Sequence, residues 1–209
     1  MLRKTMVLVL AITLGALVAF ALPASANWEH KKAKLLVQKT ITLKGQVKFG
    51  TSLGGIQCEI TTALELIPGT TGFMETFEPE GGTTPEKCKG NGGLAFCQIH
   101  HLEPKGLPYD TTEGTGGWKI HTSGASSIEI INGLITVSLE DLFCPYPGTF
   151  SITPDTIIAT PDKSFEFSSF NLSGALQADI KTSQGETQVA AQPSGTLTVE
   201  GQDAKTYGV

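Results

Sequence analysis

Thr40-Ile41-Thr42-Leu43-Lys44-Gly45-Gln46-Val47-Lys48-Phe49 alternates apolar and polar side chains along ten residues. On an extended chain Ile41, Leu43, Val47 and Phe49 point one way, and Thr40, Thr42, Lys44, Gln46 and Lys48 point the other. Alternation with one polar face is the mark of a half-buried strand. The next stretch repeats it: Ile56, Cys58, Ile60, Leu64 and Leu66 oppose Gln57, Glu59, Thr61 and Glu65, so Cys58 is expected to face inward. Residues 128–139, Ile-Glu-Ile-Ile-Asn-Gly-Leu-Ile-Thr-Val-Ser-Leu, read as a hairpin turning at Asn132-Gly133, a pair that tolerates the positive φ of a type I′ turn. Phe170, Leu172, Leu176, Ala178 and Ile180 alternate again, with Gly174 as a candidate bulge, and Leu197 and Val199 form a last strand. Beyond residue 26 no stretch of ten residues shows a 3.6-residue period. The expected fold is all-β: a single antiparallel β-sandwich, or barrel-like, domain over 27–209. Residues 67–125, rich in Gly, Pro and Thr, read as a long loop-rich insertion.

The N-terminus reads differently. Arg3 and Lys4 precede an uncharged apolar run, Met6–Ala21, and Ala24-Ser25-Ala26 supplies small residues before Asn27. That order predicts a signal peptide, 1–26, cleaved on export. The run is shorter than the roughly 20 residues of a spanning helix, so no membrane span is expected after cleavage. The expected location is extracellular or envelope-associated.

In such a compartment Cys58, Cys88, Cys97 and Cys144 are expected to form two disulfides. Three pairings are open. Gly90-Asn91-Gly92-Gly93 favours Cys88–Cys97, leaving Cys58–Cys144 as a long-range staple. No pair has the C-x2–4-C spacing of structural zinc sites.

The layout resembles a group of uncharacterised secreted four-cysteine β-domain proteins of high-GC Gram-positive bacteria. The matching residues are Cys58 on an early strand, Cys88 and Cys97 flanking a short loop, Trp118 after it, Cys144-Pro145, and Tyr207-Gly208 near the end. The resemblance implies a disulfide-linked β domain and brings no activity.

Two common catalytic signatures, Gly-x-x-x-x-Gly-Lys and His-Glu-x-x-His, do not occur. Asp110-Thr111-Thr112 lacks the glycine and the second copy that an aspartic protease requires. No cofactor is implied. His100, His101, Tyr109, Trp118 and His121, with Asp110 and Glu113 beside them, form the one region where a loop-borne site is to be sought. His100 and His101, being adjacent, are expected on opposite faces of a strand. Glu75, Glu78, Glu80, Glu86 and Asp162 read as solvated acidic surface.

Charge is uneven. The chain carries −5 overall, yet Lys31, Lys32, Lys34, Lys39, Lys44 and Lys48 face only Glu29 over residues 27–50. The acidic remainder disfavours nucleic acid. The lysines fit an anionic cell-wall polymer or lipid headgroup, with Trp28 as an interfacial aromatic, or they protect an edge strand. The expected function is therefore that of a non-enzymatic extracellular or envelope binding or structural domain. The alternative is a secreted hydrolase with a His/carboxylate site on its loops.

Overall fold

The computed structural model describes residues 27–82, 87–107, 118–123, 127–131, 133–140, 142–163, 166–183, 185–201 and 207–208. The expected signal peptide lies outside the described residues, as do Tyr109, Asp110 and Glu113. The strands are β1 (Glu29–His30), β2 (Ala33–Lys34), β3 (Lys39–Thr51), β4 (Gly54–Leu66), β5 (Thr71–Pro79), β6 (Cys88–Asn91), β7 (Gln98–Lys105), β8 (Trp118–Ser123), β9 (Ser127–Ile131), β10 (Leu134–Glu140), β11 (Gly148–Pro161), β12 (Ser169–Thr182), β13 (Gly185–Val199) and β14 (Tyr207–Gly208).

Eight of these close into a barrel. The ring runs β3-β4-β5-β8-β9-β11-β12-β13 and returns to β3, every pair antiparallel. Closure removes free sheet edges, and β3 is hydrogen-bonded to β4 and β13 on its two sides. Its lysines therefore do not guard an edge. The alternation in β3 holds: Ile41, Leu43, Val47 and Phe49 are buried. Cys58 is buried as expected, in a row with Ile56, Ile60, Leu64 and Leu66.

β4 and β11 are each shared between two partners along their length. Ile60–Leu66 of β4 bonds β5, and Gly55–Cys58 bonds β6. Ile157–Ala159 of β11 bonds β9, and Gly148–Ile152 bonds β10, which in turn carries β7. The sheet thus splits into an upper layer that completes the barrel and a lower one flanked by β6, β7 and β10.

This split corrects the expected hairpin at Asn132-Gly133. Ile128 pairs Ala159 and Ile130 pairs Ile157, while Ile135 pairs Ile152 and Leu139 pairs Gly148. One register runs through all four pairs, so β9 and β10 lie end to end on β11 rather than folding back. β8 and β7 occupy the edges that the hairpin would have joined. Tertiary pairing overrides the local turn preference, and Asn132 itself lies outside the described residues.

Nor is 67–125 a single irregular insertion, because β5 to β8 fall within it. Two bulges hide their alternation. In β5 Ala63 pairs Thr76 and Leu64 pairs Met74, which leaves Glu75 as the extra residue. In β7 Ser138 pairs His101 and Leu139 pairs Ile99, which leaves His100 extra. Each bulge shifts the inward row by one residue, from Met74 to Phe77 and from Ile99 to Leu102.

The disulfides also differ from the expectation. They are Cys58–Cys88 and Cys97–Cys144. Cys88 sits directly opposite Cys58 across β4 and β6, with Cα atoms 4.1 Å apart. The glycines do not fold Cys88 onto Cys97; they let β6 and the turn after it pack tightly. A Cβ on Gly90 would lie 1.9 Å from the Leu94 carbonyl oxygen. Cys97 instead tethers the start of β7 to the β10–β11 connection.

One barrel end is capped by a small sheet in the order β14-β1-β2. Trp28 leads into it and is fully buried, its backbone N–H donating to Gly69 O and its indole Nε1–H to Thr71 O. Leu35 N–H closes back on Trp28 O at 2.8 Å, and Phe167 N–H reaches Tyr207 O at 3.4 Å. Trp28 is thus an anchor of the cap and not an interfacial aromatic.

Candidate functional site

An eight-stranded barrel can hold a small ligand inside or fill itself with side chains. Among the described residues the void left between Leu43, Met74, Ile120, Ile130, Phe170 and Leu197 is about 10 Å³ and entirely apolar, too small and too greasy to hold a ligand. The larger clefts between described residues open on the outside.

The histidine region resolves into separate pairs. The bulge turns both His100 and His101 outward, against the expectation of opposite faces, and each meets its own carboxylate: His100–Glu140 at 3.9 Å and His101–Glu103 at 3.4 Å. His121, on β8, pairs with Glu129 of β9 at 3.0 Å. Among the described residues no three His, Cys, Asp or Glu side chains gather as a metal site would require. Trp118 is 1% exposed, tilts against Phe77 with ring centroids 5.3 Å apart, and donates its Nε1–H to Lys105 O at 2.9 Å. It is a core residue that fastens β8 to the end of β7.

A cleft of about 530 Å³ opens where β5 and β7 part, floored by Phe77, Leu102 and Pro104 and edged by Thr61, Glu78 and Glu80. Glu80 is gripped by Lys44 and Lys87, and Lys87 also reaches Glu59 at 3.3 Å. Hydrogen bonds from Lys44 and then Lys87 hold the Glu80 carboxyl down at about 2. A carboxylate so neutralised is a structural clamp, and Lys44 is spent on it rather than on a partner.

The acidic surface contains one exception. Glu65, expected on the solvent face, is 7% exposed, and the bulge brings Glu75 beside it. Burial first, and then the Glu65 carboxyl, push Glu75 up to about 7. Its Oε1 is buried and has no hydrogen-bond partner. Nothing in the sequence marks this pair, because a bulge leaves no compositional trace.

The six lysines do not form one row. Lys39 and Lys48 stand nine residues apart on β3, roughly 30 Å along an extended strand. Lys31, Lys32 and Lys34 are exposed on the capping sheet, and Lys39 begins the strand that leaves it. Lys31 and Lys32 form the two-residue loop between β1 and β2, with φ of 52° and 63°. Asn or Gly suits such positions, and other residues cost of order 1 kcal/mol or more there, so lysine is an unusual occupant of both. Among the described residues Lys32 pairs with Glu166 at 3.9 Å, a distant, exposed contact worth little. No protein-family model matches the sequence, and neither a curated protein nor a solved structure matches it.

Proposed function

We propose that the protein is an exported, non-enzymatic envelope domain that docks its capped end on an anionic surface through Lys31, Lys32, Lys34 and Lys39. The observation that carries this reading is the Lys31-Lys32 loop, where two exposed cations occupy left-handed backbone positions on the capping sheet. Two disulfides suit an oxidising compartment, and no helix among the described residues is long and apolar enough to cross a membrane. Phosphate-bearing wall polymers and lipid headgroups share the chemistry that such a tip recognises. The test is retention of the exported protein on isolated cell envelopes at low and high salt. Retention at low salt that falls with added salt, and falls again when the four lysines are changed to glutamine, is expected. Equal retention of both proteins, or none at low salt, refutes the reading.

The cleft beside Phe77 favours a second reading, a small apolar ligand held against Leu102 and Pro104. Trp118 tilts against Phe77 from behind that floor, so a change in its fluorescence, lost in a Leu102→Glu variant, would support it.

A further inference from the structure

We infer that the capped end is a lipid-docking tip, in which Leu36 and Val37 enter the interface of an anionic bilayer while the surrounding lysines engage its headgroups. This rests on the docking reading above and narrows its partner to lipid. Leu35 is buried and fixed by its N–H bond to Trp28 O, and residues 36–38 after it are exposed before β3 begins. Leu36 is 84% exposed and Val37 60% exposed, although neither has a polar atom to give to water from its side chain. Lys34 and Lys39 flank the pair in sequence, and the Lys31-Lys32 loop belongs to the same small sheet. Apolar side chains set among cations match an anionic membrane surface, where the apolar groups leave water and the cations stay at headgroup level. A soluble anionic polymer would give Leu36 and Val37 no such environment.

Chain order agrees with the charge. The apolar run Met6–Ala21 ends five residues before Asn27, and Trp28 enters the cap. On the export reading, the end of the barrel that carries Leu36 and Val37 is the end nearest the bilayer before cleavage. Among the described residues a second exposed apolar group, Phe96, Leu142 and Phe143 around Cys97–Cys144, lies at the opposite end of the barrel.

The probe is a set of vesicles of phosphatidylcholine alone and of phosphatidylcholine with 30% phosphatidylglycerol (roughly the anionic content that gives a strong surface potential), mixed with protein recovered after export. Co-sedimentation with the anionic vesicles only is expected. Changing Lys31, Lys32 and Lys34 to glutamine should weaken it about a hundredfold, roughly fivefold per lysine. Leu36→Ser with Val37→Ser should abolish the binding that survives high salt, while Leu142→Ser, at the far end, should change nothing. All these side chains are exposed, and unchanged thermal unfolding checks that each variant folds. Absence of binding to anionic vesicles, or binding indifferent to Leu36 and Val37, overturns the inference. Isolated wall polymer run in parallel separates the two failures: binding to polymer without lipid sinks only this inference, and binding to neither sinks the docking reading as well.

Discussion

Replacing Glu75 with glutamine should remove a pH dependence built into the barrel wall. Glu75 is the extra residue of the β5 bulge, and its buried Oε1 finds no partner beside the buried Glu65. Burial and Glu65 raise its carboxyl to about 7, against 4.5 for the unfolded chain. The folded state therefore keeps a proton that the unfolded state releases, and stability falls as pH rises from about 4.5 to about 7. Full burial would make that fall about 3 kcal/mol. Glu75 is only partly shielded from water, which reduces the figure to about 1–2 kcal/mol. Glutamine cannot ionise, so Glu75→Gln should match the parent at pH 4.5 and exceed it by about 1–2 kcal/mol at pH 8. Glu80 and Asp162, both held at about 2, affect stability only as pH falls below their unfolded values of 4.5 and 3.8, outside this window. Asp162 is held there, despite burial, by the Ser168 hydroxyl and the Ser168 and Ser169 N–H groups. The assay is urea unfolding of the oxidised protein from pH 4.5 to 8.5. Parallel stability profiles for parent and variant, or a variant weaker at pH 8, would refute the reasoning.

Other outcomes follow from the same structure. Removing Cys97–Cys144, which closes a 47-residue separation, should lower stability by about 4 kcal/mol, and removing Cys58–Cys88, with a separation of 30, by slightly less; denaturant titration of the paired alanine variants measures both. Trp118→Ala should cost about 3–5 kcal/mol as a fully buried side chain, whereas Trp118→Phe should lose about 1 kcal/mol with the bond to Lys105 O. Alanine at His100 should move stability by less than about 0.5 kcal/mol, since its pair with Glu140 is solvent-exposed, whereas alanine at His121 should cost more, because its 3.0 Å pair with Glu129 is half-buried; denaturant titration of both variants measures the difference.

Strand identity was legible wherever alternation ran unbroken, as in β3, β4 and β12, because one face of each is buried against a single core. It was hidden in β5 and β7, where Glu75 and His100 each shift the phase by one residue. Asn132-Gly133 misled because a turn preference of local origin competes with long-range pairing to β11, which depends on residues far away in the chain. The cysteine pairing was illegible for a similar reason. Flexible glycines permit a short Cys88–Cys97 loop, but β6 pairs with β4 and sets Cys88 against Cys58. The three histidines are separately paired with carboxylates and Trp118 is a core anchor, because the bulge and the burial of β8 are invisible to composition. The lysine excess was visible from composition, yet only the fold divides it into a tip of four, a clamp at Lys44 and a distant Lys48.

On the export proposal the molecule works oxidised and outside the cytosol, with its wall cross-linked at two points. Mass spectrometry of unreduced tryptic peptides tests it, since cleavage after Lys87 and Lys89 separates Cys88 from Cys97. Protein recovered from outside the cell should begin at Asn27 and yield the peptides of Cys58 with Cys88 and of Cys97 with Cys144. An intact Met1 terminus on cytosolic protein with four free thiols would contradict the account.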